Sequence, residues 1–315
     1  MSVIVDKPTD KPRPKHRLDR ANKPKRTRKQ KQRLATNIFL QIFAMFGIGL
    51  LIYPDGADWV NSLGHNAEIS GYVRQIENTP PEQRREILNA AYAYNEQLDP
   101  GPLTDPYLTE AEDAALDSDV YRAYQEMLRV SGTEAIGTVN YPEVGISLPV
   151  YHGTSEEVIA KGVGHLYGTS LPVGGPSTRS VLTAHSGLPH AKLFTQLHDA
   201  EVGDIFWISV LGEEHYYQVR ELETVLPNET DSFQIIEGED WVTLFTCTPV
   251  GVNSHRLLAH AQRIPAPEGE GERLVAGDGI SAGFPWWLVI FIGGSVLVAL
   301  MLFMPAKKKK KKATA

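Results

Sequence analysis

Two stretches of the chain are predominantly apolar and carry no charge, and the sequence between them changes period part-way along. Leu34 to Tyr53 carries no charged side chain over 20 residues, enough for a helix to cross a bilayer core of about 30 Å. Phe284 to Met304 is a second uncharged run, with Trp286 and Trp287 near its start, where an interfacial aromatic belt would lie. After the first run, Ile87, Leu88, Ala91, Tyr94 and Leu98 recur at the spacing of one helical face. Thr79-Pro80-Pro81-Glu82 predicts the start of that helix as a capping box, with Thr79 as N-cap, Pro80 at the first helical position and Glu82 three residues on. Asp99-Pro100-Gly101-Pro102 ends it. A second helix is expected over Asp119 to Val130, with Val120, Tyr124, Met127 and Leu128 on one side. Pro102 to Ser118, acidic and turn-prone, reads as a loop between the two.

From about residue 135 the pattern shortens to β-rich runs divided by Gly, Pro and Asn. The predicted strands are Ala135–Val139, Ser147–Tyr151, Ser180–Ala184, Ile205–Val210, His215–Glu223, Trp241–Cys247 and His255–Ile264. Such short, punctuated strands argue for a β-barrel or sandwich. Ser186 to Leu197 has room for a short helix, and the Glu/Gly/Pro-rich Pro265 to Gly279 reads as a flexible linker. The expected organisation is a basic tail over 1–33, a membrane span over 34–53 and a helical region over 54–134 that contains the loop 102–118. A β domain over 135–265, a linker over 266–283, a second span over 284–304 and a basic tail over 305–315 complete it.

Charge sharpens this picture. The chain has a net charge of −7, yet residues 1–33 hold thirteen Lys/Arg against three Asp, and Lys307–Lys312 add six more cations. The rest is therefore strongly acidic. Basic charge confined to the ends argues against a nucleic-acid partner, which would require it on the folded surface. The same clusters flank the two apolar runs, and the positive-inside tendency puts both termini in the cytoplasm and residues 54–283 outside the cell membrane. The first run is longer than a signal-peptide core and no small-x-small site follows it promptly, so an uncleaved anchor is expected.

A single cysteine, Cys247, cannot form an intramolecular disulfide. It closes the run Trp241-Val242-Thr243-Leu244-Phe245-Thr246-Cys247, and Thr248-Pro249 breaks the strand there. Eight positions after Cys247 comes His255, the first residue of the next run, where His255-Arg256-Leu257-Leu258 begins. A loop over Thr248 to Ser254 can set the two strands side by side, with Cys247 and Arg256 near one rim. An arginine there is expected to lower the thiol pKa and to offer fixed donors to an oxyanion. Of ten histidines, His185 stands at the end of Ser180–Ala184, again a strand end. His190 lies in the following loop, and His255 is too near Arg256 to be favoured. His185 and His190 do not have the H-E-x-x-H spacing of a zinc site, no acidic cluster argues for calcium, and neither a metal nor a cofactor is expected.

Together these segments resemble the class C, pilin-polymerising sortases. Thr243-Leu244-Phe245-Thr246-Cys247 matches the TLxTC signature of that family, with Arg256 similarly placed. The histidine segment is similar over Val181-Leu182-Thr183-Ala184-His185-Ser186-Gly187-Leu188-Pro189 with Ala191-Lys192-Leu193-Phe194. Leu148-Pro149-Val150-Tyr151-His152-Gly153 and Gly162-Val163-Gly164-His165-Leu166 also fit. The resemblance covers roughly residues 80–265. It implies a mainly β fold, an eight-stranded sortase barrel with N-terminal helices and an active-site lid loop, flanked here by two transmembrane helices. It also implies Cys247, His185 and Arg256 as catalytic residues, Thr246 as a supporting one, and partners that are LPxTG-bearing pilins or surface proteins. Asp105-Pro106-Tyr107 resembles the lid motif of the family, with Tyr107 where Trp or Phe is more usual. In that reading Asp105 pairs with Arg256 and Tyr107 covers Cys247. Leu171-Pro172-Val173-Gly174-Gly175 lacks the Thr of a sorting signal, and no LPxTG precedes the C-terminal run, so the chain reads as enzyme rather than substrate. The alternatives are a sortase that attaches proteins to cell-wall peptide and a non-catalytic membrane-tethered surface protein.

Overall fold

A computed structural model describes residues 27–98, 103, 105, 107, 118–267 and 283–304. The chain divides into two compact units, Met1–Gly47 with Ser295–Ala315 and Ile48–Gly294. Two helices, α1 (Arg28–Asn78) and α5 (Trp286–Phe303), are long and apolar enough to cross a membrane. Within the first unit, the side-chain amides of Asn37 and Gln41 donate to the carbonyls of Leu302 (2.6 Å) and Ser295 (3.0 Å). An apolar surrounding offers such amides no water, so backbone carbonyls of a neighbouring helix become their acceptors.

The second unit is built on eight strands: β1 (Gly137–Tyr141), β2 (Ile146–His152), β3 (Val163–His165), β4 (Thr178–Thr183), β5 (Ile205–Val210), β6 (Glu213–Val225), β7 (Asp240–Thr248) and β8 (His255–Arg263). They close into a barrel in the order β1-β2-β3-β4-β7-β8-β6-β5. Closure leaves no open sheet edge. Two neighbouring pairs are parallel, β2 with β3 and β4 with β7. A parallel pair cannot be joined by a tight turn; the helix α4 (Glu156–Lys161) makes the crossover from β2 to β3.

Alternate residues of a strand face opposite sides. Val242 and Leu244 of β7 join the main core with Leu182, Phe206, Ile208, Val219 and Ala259. Phe245, on the other face, packs with Val181, Leu258, Val225, Phe233 and Leu166 in a second apolar cluster, against which Leu103 and Tyr107 lie. Both faces of β7 are buried from Val242 to Cys247, which is why that stretch is an unbroken run of apolar and threonine residues with no charged position.

Several expectations need correction. The helix containing 34–53 does not stop at Tyr53 but continues through Pro54 to Asn78. Its last turns dock on the barrel, where the Tyr72 hydroxyl donates to Ile136 O (2.9 Å) and accepts from the Leu211 N–H (3.0 Å). The next helix, α2 (Pro81–Gln97), has Pro80 as N-cap and no capping box. The Thr79 hydroxyl instead turns back to Gln75 O (2.7 Å) and serves the end of α1. Leu88 and Ala91 are buried as the periodicity requires. Helix α3 is shorter than predicted, Asp119–Glu126, capped by the Ser118 hydroxyl and followed by Met127 in extended conformation and Leu128 at φ 55°. Its buried face is Tyr121 and Tyr124, while Val120 is 64% exposed. The short helix expected over 186–197 is a 3-10 helix at Leu193–Asp199. Strand β3 was not predicted, because three residues with a central Gly164 carry no readable period. The loop expected over 102–118 lies outside the described residues except for Leu103, Asp105, Tyr107 and Ser118, and so does most of the linker expected over 266–283.

Candidate active site

Strands β7 and β8 set Cys247 directly opposite Arg256, a separation of about 5 Å between Cα atoms for antiparallel partners. Both residues are at the strand ends and both are buried, Cys247 4% and Arg256 5% exposed. On the other side of β7, the parallel pairing with β4 runs to Thr183 beside Phe245 and stops two residues short of Cys247. Hydroxyl groups continue it. Thr183 Oγ1 donates to Phe245 O (2.9 Å), Thr246 Oγ1 to Ala184 O (2.8 Å) and Ser186 Oγ to Cys247 O (2.7 Å). These stitches hold Ala184-His185-Ser186 alongside Thr246-Cys247. His185 is thereby brought to one side of Cys247 and Arg256 to the other.

The His185 backbone is fully committed, its N–H to Ile159 O (3.3 Å) and its carbonyl to the Phe194 N–H (3.0 Å). Its ring Nε2 lies 2.9 Å from Glu156 Oε1. Five other described histidines have partners or surroundings of their own. His165 sits between the Tyr124 hydroxyl and Ser170 O, and burial pulls it down to about 4. His152 and His215 fall to about 3 for the same reason, aided by a neighbouring histidine and by Arg263 respectively. The exposed His190 offers its carbonyl to Asn61, and His255 pairs with the Ser254 hydroxyl.

Asp105 and Tyr107 lie over this pair. Asp105 Oδ2 is 2.6 Å from Arg256 Nε, and its Oδ1 accepts the Tyr107 N–H at 2.8 Å, an Asx turn. The Tyr107 ring meets Phe245 edge-on, with centroids 5.9 Å apart, lies 5.6 Å from the His185 ring and has the Arg256 guanidinium 5.0 Å from its centroid. Its hydroxyl reaches Thr183 Oγ1 (2.7 Å) and Ala184 O (2.9 Å). Tyrosine in place of Trp or Phe therefore adds polar contacts to the same β4–β7 stitching that holds His185. Arg256 uses Nη1 on Asn253 O and His255 O, both at 3.0 Å, so Asp105 takes its Nε.

The electrostatics reverse one expectation. Arg256 does pull the Cys247 thiol down, but burial is the larger effect and, helped by the charges of Asp105 and Glu156, pushes it up to about 11. Burial also raises the Asp105 carboxyl above its usual range, against the opposing pull of the Tyr107 N–H and Arg256. Burial and the nearby Asp105 and Glu156 charges thus favour the protonated thiol over the thiolate. Among the described residues no three His, Cys, Asp or Glu side chains converge as a metal site requires.

Residues 139–264 match the Sortase domain family. Sortase C1 of Streptococcus agalactiae is 43% identical, with a TM-score of 0.58 over 64% of this chain and 97% of that one. The chain belongs to the sortase family. Sortase C of Streptococcus pneumoniae is 41% identical, with a TM-score of 0.56 over 63% of this chain and 98% of its own. Sortase A of Bacillus anthracis is 25% identical over 60% of this chain and 81% of its own length. As a sortase, the protein is a cysteine transpeptidase built on the eight-stranded barrel of that family, and its two apolar helices fit a membrane-anchored enzyme. Glu156 escaped the sequence reading, and Thr183 and Ser186 stood in the histidine segment without a role assigned to them. Each acts through a contact across elements, and nothing in local spacing marks it.

Proposed function

We propose that this sortase is of class C and joins pilins into polymers through Cys247, His185 and Arg256. The observation that carries the reading is the placement of Cys247 opposite Arg256 across β7–β8, with His185 stitched alongside by Thr246 and Ser186. The Cys247 thiolate attacks the Thr–Gly carbonyl of an LPxTG-like motif, and the Arg256 guanidinium stabilises the oxyanion that forms. As the C–N bond breaks, His185 passes a proton to the leaving glycine amine, which leaves a thioester on Cys247. A lysine amine of the next pilin then attacks, His185 takes its proton, and an isopeptide bond replaces the thioester. Thr246 supports the site by holding Ala184. Asp105 and Tyr107 belong to a lid that withholds the Arg256 Nε and keeps the thiol protonated until substrate displaces it.

Two observations support the pilin reading over attachment to cell-wall peptide. The solved sortases C at 41–43% identity include one described for its pilin substrate specificity, and the Asp105–Arg256 contact supplies a lid. The basic tails 1–33 and 305–315 face the cytoplasm, the spans are 34–53 and 284–304, and the domain 135–265 faces outward, where exported pilins emerge. The test incubates the full chain in nanodiscs with an LPxTG peptide and seeks an acyl adduct on Cys247 by mass spectrometry. A lysine-bearing pilin peptide and a wall-peptide amine then compete to release it. No adduct on Cys247 defeats the mechanism; preferential release by the wall amine defeats the pilin assignment.

A further inference from the structure

Helix α4 holds His185 at two points. The Ile159 carbonyl accepts the His185 backbone N–H at 3.3 Å, and three residues earlier Glu156 Oε1 meets the ring Nε2 at 2.9 Å. Residues three apart lie on one helical face, and Ile159 is 1% exposed, so the packing that anchors α4 also aims Glu156 at the imidazole. The helix itself is obligatory, since the parallel β2–β3 pair needs a crossover. The His185 side chain is 16% exposed and that of Glu156 81%. An exposed pair of this kind contributes little to stability, so its value has to be sought in what it does to the ring.

We infer that Glu156 is a positioning residue for the sortase reaction, orienting the His185 imidazole and fixing its tautomer. In neutral imidazole one nitrogen is a donor and the other an acceptor, and the partner of one decides the role of the other. A carboxylate can only accept, so Nε2 carries the proton toward Glu156 and Nδ1 is left with the lone pair that can exchange protons. One nitrogen then serves both half-reactions. Nδ1–H gives its proton to the departing glycine amine, and the bare Nδ1 later takes one from the attacking amine, while the Nε2–H stays on Glu156 throughout. The inference rests on the reading of His185 as proton carrier and adds the residue that prepares it.

The test uses full-length protein in nanodiscs, labelled with 15N in the histidine rings, with two-bond 1H–15N correlation and peptide kinetics on the same samples. In the unsubstituted protein the neutral His185 ring shows the Nε2–H tautomer. Glu156→Ala is expected to mix the tautomers and to lower kcat about tenfold with KM within about twofold. Glu156→Gln, whose amide oxygen still accepts, restores most of both signals. Glu157→Gln, a neighbouring loss of charge, changes neither. A Glu156→Ala protein with unaltered tautomer or unaltered kcat overturns the inference, as does a Glu157→Gln protein that loses as much activity. Parallel His185→Ala kinetics separate the two readings: retained turnover in that variant removes His185 itself from the mechanism, whereas lost turnover beside an unaffected Glu156→Ala protein removes only Glu156.

Discussion

On its barrel side the Cys247–Arg256 pair is framed by backbone ladders; on its outer side the side chains of Asp105 and Tyr107 reach in against it. Strand β7 is paired along its length with β8 and, up to Phe245, with β4, and the hydroxyls of Thr183, Thr246 and Ser186 carry that order past the last rung. The cover rests on one ion pair from Asp105, two hydroxyl contacts from Tyr107 and apolar packing of Leu103 and Tyr107. The first arrangement opens only with the barrel. The second is a handful of contacts, each worth about 1 kcal/mol net, or up to about 3 where a charge is involved, and can release without disturbing the strands. The scaffold of the three proposed catalytic side chains and the proposed lid are thus built from different bonds.

The sharpest way to break that comparison is to substitute one residue on each side. Arg256→Ala is expected to cut kcat for peptide cleavage about 10²–10³-fold through loss of oxyanion donors, while the barrel still melts cooperatively. Arg256→Lys should recover little, because a point charge cannot replace the guanidinium fork. Activity within tenfold of the unsubstituted protein would place the oxyanion donor elsewhere. Asp105→Ala acts in the opposite direction. It removes a negative charge near the thiol and lets water reach it, both of which favour thiolate, so alkylation of Cys247 at pH 7.5 should quicken about tenfold or more. An unchanged alkylation rate would mean that Asp105 and Tyr107 do not control access.

Tyr107→Phe gives a smaller and more selective effect. Losing the hydroxyl contacts while keeping the ring costs about 1 kcal/mol, which should raise the alkylation rate about fivefold and leave kcat for bound peptide unaltered. A rate equal to that of Asp105→Ala would show that the hydroxyl, rather than the ion pair, is the latch. The smallest effect is on stability. The Cys247 thiol is raised in the folded protein to about 11 from an ordinary value of 9.0, so between those two values the folded state binds more protons than the unfolded one. The contribution is fully present below pH 9 and is lost as pH rises through about 11. Thermal melts of Cys247→Ala should therefore fall less steeply over that window than those of the unsubstituted protein; parallel curves would show that the thiol is not shielded.

Much of this could be read along the chain, because the relevant forces are local. Uncharged apolar runs, the helical stripe of α2 and the β punctuation after residue 135 each reflect burial of one side of a single element, and all three correspond to elements of the fold. Cys247, His185 and Arg256 were marked by strand ends, a signal that survives in one dimension, and Asp105 and Tyr107 by a motif. What depended on neighbours distant in sequence was not readable. The capping role of Thr79 was taken by the end of the preceding helix, α3 turned Tyr121 inward beside the expected Tyr124 and left Val120 exposed, and β3 exists as a strand only because β2 and β4 flank it. The thiol was expected to be acidified by Arg256, a pairwise effect, but burial, the larger effect, decides it. The sequence by itself determined which residues end their strands and which segments are apolar enough to leave water. Only tertiary structure decided how buried each ionisable group is and which carboxylate faces which cation, since desolvation depends on everything that surrounds a group and not on what precedes it in the chain.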